Sequence, residues 1–278
     1  MTHGEKTVKT LPSTKRKPRY IIGSGWWSSE SSPEDDNPLR KKLGDPHIRS
    51  VEFFDTWYRS ITSNASPDEI IVIDSCAPVK PRRDMRDRVR WITLPFNARH
   101  STDHIGQWSG WMRSVILSAT YAMTADCEYF VYVEQDCLLG GAGIIEHCID
   151  RGTNGLIFGA GKGTPQPIQQ SFFIVRADRL PNFISNLCAL KMRDAELSPE
   201  WKFLCASSRV LVFVANLGLL KYKWVRKGAL KLCLNNFFEF LPIGSGRARP
   251  IPFDADFFYF QHATRPELDR YLAEKRGV

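Results

Sequence analysis

The sequence predicts an α/β fold with a mostly parallel central sheet flanked by helices, and three observations carry that prediction. Tyr129-Phe130-Val131-Tyr132-Val133 is a short, unbroken, β-prone run of the kind expected for a strand buried on both faces. Two similar runs lie upstream, Tyr20-Ile21-Ile22 and Ile70-Ile71-Val72-Ile73. Between them the apolar residues recur with helical spacing, and strands alternating with helices build parallel sheets.

Taken in order, the first strand opens at Tyr20 and ends in Gly23-Ser24-Gly25, and Ser28 to Asp36 reads as a polar loop. Val51, Phe54, Trp57, Tyr58 and Ile61 share one helical face. Glu69 to Ser75 is a second strand ending in Asp74, and Val89 to Leu94 is a third. Ile105, Trp108, Met112, Val115, Ala119 and Ala122 recur at steps of three and four, which predicts the clearest helix, with Asp103 as its N-cap. The strand that runs into Glu134-Gln135-Asp136 follows. Further on, the pattern gives a helix over Gly141 to Asp150, strands at Leu156 to Phe158 and Phe172 to Val175, and a helix over Leu180 to Leu190. Ser198 is expected to cap a helix that Pro199 opens. Leu241 to Phe253, rich in Pro, Gly and Arg, reads as a loop. Thr264-Arg265-Pro266-Glu267 is a capping box before a last helix with Leu268, Tyr271 and Leu272.

A chain of 278 residues has ample material for one large core. With no internal repeat and no break in composition, residues 19–278 are expected to form one domain behind a basic, disordered arm over residues 1–18. That arm lacks the apolar stretch of a secretory signal. The longest apolar run, Val210 to Leu220, is too short to span a bilayer and is broken by Asn216. Seven scattered cysteines, none spaced Cys-x-x-Cys, predict reduced and mostly buried thiols in a cytoplasmic protein rather than a disulfide framework or a zinc site. The net charge of +8 favours an anionic partner, whether nucleotide phosphate, acidic glycan, nucleic acid or an anionic membrane surface approached peripherally.

Glu134 and Asp136 carry the chemistry. Side chains alternate along a strand, so the two acids are expected to point the same way. Buried carboxylates need a partner, and open α/β sheets bind ligands outside the carboxyl ends of their strands. Place and residue type together indicate a metal or sugar-nucleotide site, and the plainer alternative is pairing with Arg or Lys. Two glycine-rich stretches fail as nucleotide motifs. Gly23-Ser24-Gly25 lacks the third glycine of a dinucleotide fingerprint, with Trp26 where the backbone should approach closely. Gly159 to Thr164 has the wrong spacing for a phosphate loop and is followed by Pro165 and Pro167. His100 and His104, four apart, have no nearby third ligand and read as a polar helix entrance.

A glycine-ended first strand, an Asp-ended second strand, a long helix and a strand ending in Glu134-Gln135-Asp136 resemble, in that order, the GT-A glycosyltransferases over roughly residues 19–278. The resemblance implies a single Rossmann-type domain, with a nucleotide-diphosphate sugar bound across the first strands near Gly23 and Ser24. It implies a divalent ion, Mn²⁺ or Mg²⁺, held on the diphosphate by Asp136 first and Glu134 second, with Glu134 replacing the usual Asp. His262, in Gln261-His262-Ala263, matches a late histidine ligand, and Asp74 matches a contact to base or ribose. Arg247 and Arg249 are candidates to clamp phosphate oxygens. Glu200 resembles in placement the catalytic base of inverting members, with Asp194 and Glu196 as rivals and Trp201 as a sugar-stacking face. The implied activity is transfer of a sugar to a hydroxyl of a glycan acceptor. The alternatives are a sugar-nucleotide nucleotidyltransferase and a basic nucleic-acid-binding protein. A stable nucleic-acid partner is not expected, because the aromatics fall mostly on predicted core faces.

Overall fold

The structure, a computed structural model, describes residues 16–29, 43–234 and 236–276. Most of the predicted arm and the predicted polar loop beyond Ser29 lie outside the described residues. The first half of the chain runs β1 (Tyr20–Trp26), α1 (Phe53–Asn64), β2 (Glu69–Asp74), the single turn α2 (Arg83–Arg86), β3 (Arg90–Thr93), α3 (Gly110–Thr124) and β4 (Tyr129–Val133). The second half runs β5 (Cys137–Gly140), α4 (Ile144–Arg151), β6 (Leu156–Ala160), β7 (Ile168–Arg176), α5 (Leu180–Ala189), α6 (Pro199–Ala206), α7 (Arg209–Asn216), α8 (Lys223–Cys233), β8 (Glu239–Phe240), β9 (Gly244–Gly246), β10 (Phe258–Gln261) and α9 (Arg265–Arg276).

Seven strands form the main sheet in the order β3-β2-β1-β4-β7-β6-β8, and β5-β10-β9 form a second, three-stranded sheet. β1 is parallel to both β2 and β4, and β2 to β3. β7 runs antiparallel between β4 and β6, and β8 is parallel to β6. The main sheet is therefore mostly parallel, as predicted. The chain steps outward from β1 to β3 and then returns to β4 on the other side of β1. Ligand crevices open at such a switch in strand order, at the carboxyl ends of the strands.

Alternation along the central strands feeds two cores. Tyr20 and Ile22, Ile70 and Val72, and Val131 and Val133 face one core, with Phe54 and Trp57 of α1. Ile21, Ile71 and Ile73, and Phe130 and Tyr132 face the other, with Met112 and Val115 of α3 and Phe203 of α6. Strands buried on both faces explain the continuous apolar runs. The last helix begins as predicted: the Thr264 N–H donates to Glu267 Oε2 at 2.8 Å, one half of a capping box.

Several elements differ from the sequence reading. β1 does not stop at Gly23-Ser24-Gly25 but continues to Trp26. The glycines let α3 approach: a Cβ on Gly23 would lie 2.4 Å from Ser118 Oγ, and one on Gly25 2.6 Å from Ser114 Oγ. α3 starts at Gly110 rather than near Asp103, and its N-cap is Ser109, whose Oγ accepts from the Met112 N–H at 3.3 Å. Ile105 and Trp108 thus continue a helical spacing through chain that is not helical. Ser198 occupies the N-cap position of α6 but makes no capping bond; its hydroxyl donates to Gln166 Oε1 at 3.2 Å. Glu134 to Asp136 form a turn closed by Cys137 N–H donating to Glu134 O at 2.9 Å, so strand alternation does not aim the two acids. Most aromatics are buried or half-buried, while Phe213, Tyr222 and Trp224 are exposed.

Candidate active site

A cleft of about 700 Å³ opens at the carboxyl ends of β1, β2 and β4. Its lining includes Glu134, Asp136, Glu200, Arg247 and His262, brought together from four separate stretches of chain. The turn after β4 supplies the two acids, the first turn of α6 supplies Glu200, and the segments after β9 and β10 supply Arg247 and His262. Gln135, between the acids, fastens this turn to the end of β1. Its Oε1 accepts from the Trp27 N–H at 2.7 Å and its Nε2 donates to Trp27 O at 3.0 Å.

Asp136 is 9 % exposed, and His262 Nε2 lies 3.3 Å from its Oδ2. Asp136 Oδ1 and His262 Nδ1 are buried with no hydrogen-bond partner among the described residues. His262 has a left-handed backbone, φ +57, uncommon for a residue with a side chain. Gly44 presses on it so closely that a Cβ there would lie 2.7 Å from the His262 carbonyl carbon. Such over-determined conformations concentrate at functional sites. Burial lowers the His262 pKa below its ordinary value; Asp136 opposes that, while Arg247, Arg49 and Arg249 add to it. The imidazole is thereby kept neutral, the form in which a histidine ligates a metal.

Glu134 is held differently. Its Oε2 accepts from Gln261 Nε2 at 2.7 Å, and Gln261 Oε1 in turn accepts from Arg247 Nε at 3.2 Å. Burial raises the Glu134 carboxyl to about 8, Asp136 and Glu200 add to the rise, and Arg247 and Gln261 oppose it. Arg247 is anchored through its backbone N–H, which donates to Gln169 Oε1 at 2.7 Å. Its Nη atoms make no hydrogen bond or ion pair among the described residues, which leaves them for a ligand.

Asp136 and His262 suit a divalent ion, because an unpartnered carboxylate oxygen beside a neutral imidazole is a mixed oxygen and nitrogen donor pair. No group of three His, Cys, Asp or Glu side chains placed to hold a metal occurs among the described residues. Glu134, committed to Gln261, therefore does not close a three-ligand set, and further ligands for such an ion would come from substrate or water.

Glu200 is 9 % exposed and makes no hydrogen bond or ion pair among the described residues. Its rivals are committed elsewhere. Asp194 lines the cleft, but its Oδ1 accepts from Lys202 Nζ at 2.6 Å and its Oδ2 from the Ser109 N–H at 2.8 Å. Glu196 is paired with Arg193 and does not line the cleft.

Other expected residues lie away from the cleft. Gly23 and Ser24 sit inside β1, and Gly25 is the strand glycine that reaches the lining. Asp74 is fully buried: its Oδ1 accepts from the Ala77 N–H at 2.7 Å, and its Oδ2 from Thr93 Oγ1 and Lys80 Nζ, each at 3.0 Å. That pins the loop after β2, and Asp74 does not line the cleft. Arg249 is tied to Glu267 at 2.5 Å and to the Gln261 carbonyl at 2.9 Å. Trp201 is buried under Arg226, whose Cζ is 5.1 Å from the ring centroid, so it offers no sugar platform. The tryptophans that line the cleft are Trp27 and Trp111, together with the buried Trp26. Arg49, Ser75, Asn97 and Arg99 also line it and were not singled out from sequence. Ser75, Asn97 and Arg99 lie on loops and Arg49 ends a short 3-10 helix, where no periodic signal marks a residue.

No family model and no curated protein matches the chain. Among solved structures, the chain is 11% identical to residues 1–349 of TarS from S. aureus, with 89% of this chain and 61% of that one covered and a TM-score of 0.44. A glycosyltransferase involved in glycosylation of the PBCV-1 major capsid is 12% identical over 92% of this chain and 100% of its own, TM-score 0.44. The mannosyltransferase PcManGT from Pyrobaculum calidifontis, solved with GDP-Man and Mn²⁺, is 10% identical over 82% of this chain and 72% of its own, TM-score 0.42. The chain spans less than two thirds of the TarS fragment's length. Likeness at this level concerns the general course of the chain and assigns no activity to it.

Proposed function

We propose that the protein is a glycosyltransferase that moves a sugar from a nucleotide diphosphate to a hydroxyl of a glycan acceptor, with inversion and with a divalent ion. One observation carries the reading: the unpartnered Glu200 carboxylate faces the same cleft as the Asp136–His262 donor pair. Cleavage of a sugar–diphosphate bond builds negative charge on the leaving group, and a base on the other reactant must accept the hydroxyl proton. The cleft separates those two tasks on different elements.

Asp136 and His262 would hold the ion, which when bound supplies positive charge to the diphosphate. Arg247 directs its free guanidinium nitrogens toward phosphate oxygens from the same wall. Glu200 takes the proton from the acceptor hydroxyl as that oxygen attacks the anomeric carbon. Lys202 and the Ser109 N–H occupy Asp194, which keeps a second carboxylate from competing for that proton. Nucleotidyl transfer is disfavoured because it wants a glycine-rich, basic loop after the first strand. Here Gly23 and Gly25 are packed under α3 serines instead.

Two measurements on one variant test this reading. Glu200→Gln keeps the shape and removes the base, so single-turnover transfer should fall roughly 10²–10⁴-fold. Nucleoside-diphosphate affinity, read as thermal stabilisation with and without Mn²⁺, should stay near wild type. Transfer surviving within a few-fold overturns the assignment of Glu200. A panel of nucleoside diphosphates that gives no Mn²⁺-dependent stabilisation of the wild type overturns the donor site.

A further inference from the structure

The positive charge of this chain is not spread evenly. From Trp201 through Phe238 the sequence contains no Asp or Glu and seven Lys or Arg. Two of the seven are used internally: Lys202 pairs with Asp194, and Arg226 donates to Leu220 O and covers Trp201. The other five, Arg209, Lys221, Lys223, Lys227 and Lys231, are exposed on α7, α8 and the turn between them.

The same stretch of chain also holds large apolar side chains in water. On α7, Val210 and Phe213 are 63 % and 65 % exposed, and Leu217, one residue past the helix, is 57 % exposed. Their spacing puts them on one side of the helix, while Leu211, Val212 and Ala215 on the other side are buried in the core. On α8, Trp224 is 74 % exposed and shares its face by spacing with Lys227 and Lys231, opposite the buried Ala229 and Cys233. Tyr222 stacks on Trp224 with ring centroids 6.4 Å apart, and Lys221 Nζ sits 5.1 Å from the Tyr222 ring centroid.

We propose that this α7–α8 surface docks on an anionic lipid bilayer, with Phe213, Trp224 and their aliphatic neighbours entering the headgroup–acyl boundary and the five basic side chains meeting lipid phosphates. The composition selects this occupant. Interfacial helices combine Lys or Arg with Trp, Phe and Leu, and Trp and Tyr favour the level of the headgroups. Five exposed cations on a stretch without a single acid complement an anionic leaflet. Single-stranded nucleic acid would use the charges and the aromatic rings, but it has no use for exposed Val210 and Leu217, because its bases are bound by stacking. None of the helices in the described residues is long and apolar enough to cross a membrane, so the contact would be peripheral. The surface adjoins the cleft wall through Arg226, which covers Trp201 next to Glu200. The proposal does not depend on the proposed chemistry of the cleft.

The test is co-sedimentation of the full chain with vesicles of phosphatidylcholine alone and of phosphatidylcholine mixed with phosphatidylglycerol. Wild type should partition onto the mixed vesicles, weakly onto the neutral ones, and less as salt rises. Phe213→Ser/Trp224→Ser should lower partitioning by at least about tenfold, and Lys223→Glu/Lys227→Glu/Lys231→Glu by about a hundredfold or more. All the substituted side chains are exposed, so unchanged thermal unfolding of both variants shows that the fold is intact. Brominated acyl chains should quench fluorescence in wild type more than in Trp224→Phe. Failure of the wild type to bind the mixed vesicles overturns the proposal, as does wild-type binding by the Phe213/Trp224 variant. Equal binding to polyuridylate that depends on the lysines alone also overturns it and makes the surface a nucleic-acid site. None of these outcomes bears on diphosphate binding in the cleft.

Discussion

Replacing Lys202 by Met asks how one wall of the cleft is held. Lys202 and Asp194 have side chains with 0% exposure and meet at 2.6 Å, and Asp194 also receives the N–H of Ser109, the N-cap of α3. Burial lowers the Lys202 pKa below its ordinary value, with Asp194 opposing that. The charged pair is thus kept by mutual contact rather than by solvent. Removing one member of a buried pair leaves the other charge uncompensated, at a cost of about 3–5 kcal/mol. Met preserves most of the stem, so the loss is chiefly electrostatic, with about 0.5–1 kcal/mol more from the ammonium over Trp108. For a chain of this size about 2 °C accompanies each kcal/mol, so the melting temperature should drop by roughly 7–12 °C. Asp194→Leu/Lys202→Met removes both charges and leaves mainly the Ser109 N–H unsatisfied, worth about 1–3 kcal/mol. The double variant should therefore be more stable than the single one. Urea and thermal unfolding of the three proteins at neutral pH decide it. A single variant within about 1 kcal/mol of wild type, or a double variant clearly worse than the single, would refute the reasoning.

Other expectations concern the site and its support. Gly23→Ala places a Cβ 2.4 Å from Ser118 Oγ and 2.7 Å from the Phe130 ring; overpacking of this kind should cost about 1–3 kcal/mol in urea unfolding. Glu134 has a raised folded-state pKa, so its contribution to stability is complete below its ordinary 4.5 and is lost as pH climbs through about 8. Metal-free wild type should therefore lose stability over that range relative to Glu134→Gln, by on the order of 1–4 kcal/mol, and parallel pH profiles would contradict it. His262 behaves in the opposite sense: its folded-state pKa is depressed, so the unfolded chain binds the proton first and metal-free stability falls as pH drops below the ordinary 6.5. His262→Gln should flatten that acid limb and weaken Mn²⁺-dependent diphosphate binding more than metal-free binding, and equal losses in both conditions would make His262 structural. Asp136→Ala should abolish metal-dependent transfer while metal-free stability holds or rises, because a buried carboxylate with an unpartnered oxygen is removed.

Local chemistry made the skeleton readable. Continuous apolar runs at Tyr20, Ile70 and Tyr129 announced strands buried on both faces, and Thr264 with Glu267 announced the last helix. These signals act over a few residues, although Asp103, read as a cap, starts no helix and Ser198 makes no capping bond, so a capping residue alone does not fix a helix start. The acids after β4 were legible for the same reason, since two carboxylates at the end of a core strand stand out wherever the chain goes next. Tertiary structure alone decided which residues share the cleft. The alternation that seemed to align Glu134 with Asp136 ends at Val133, and a turn stapled to Trp27 by Gln135 does the positioning. Asp74, a strand-end acid by sequence, spends its oxygens on its own loop and on Thr93 of β3, and Arg249, two residues from Arg247, is consumed by Glu267. α3 starts at Gly110, and the N–H of its N-cap Ser109 is held by a carboxylate 85 residues away. Whether a polar side chain is free for a ligand depends on partners that only folding brings near, and neither composition nor spacing records that pairing.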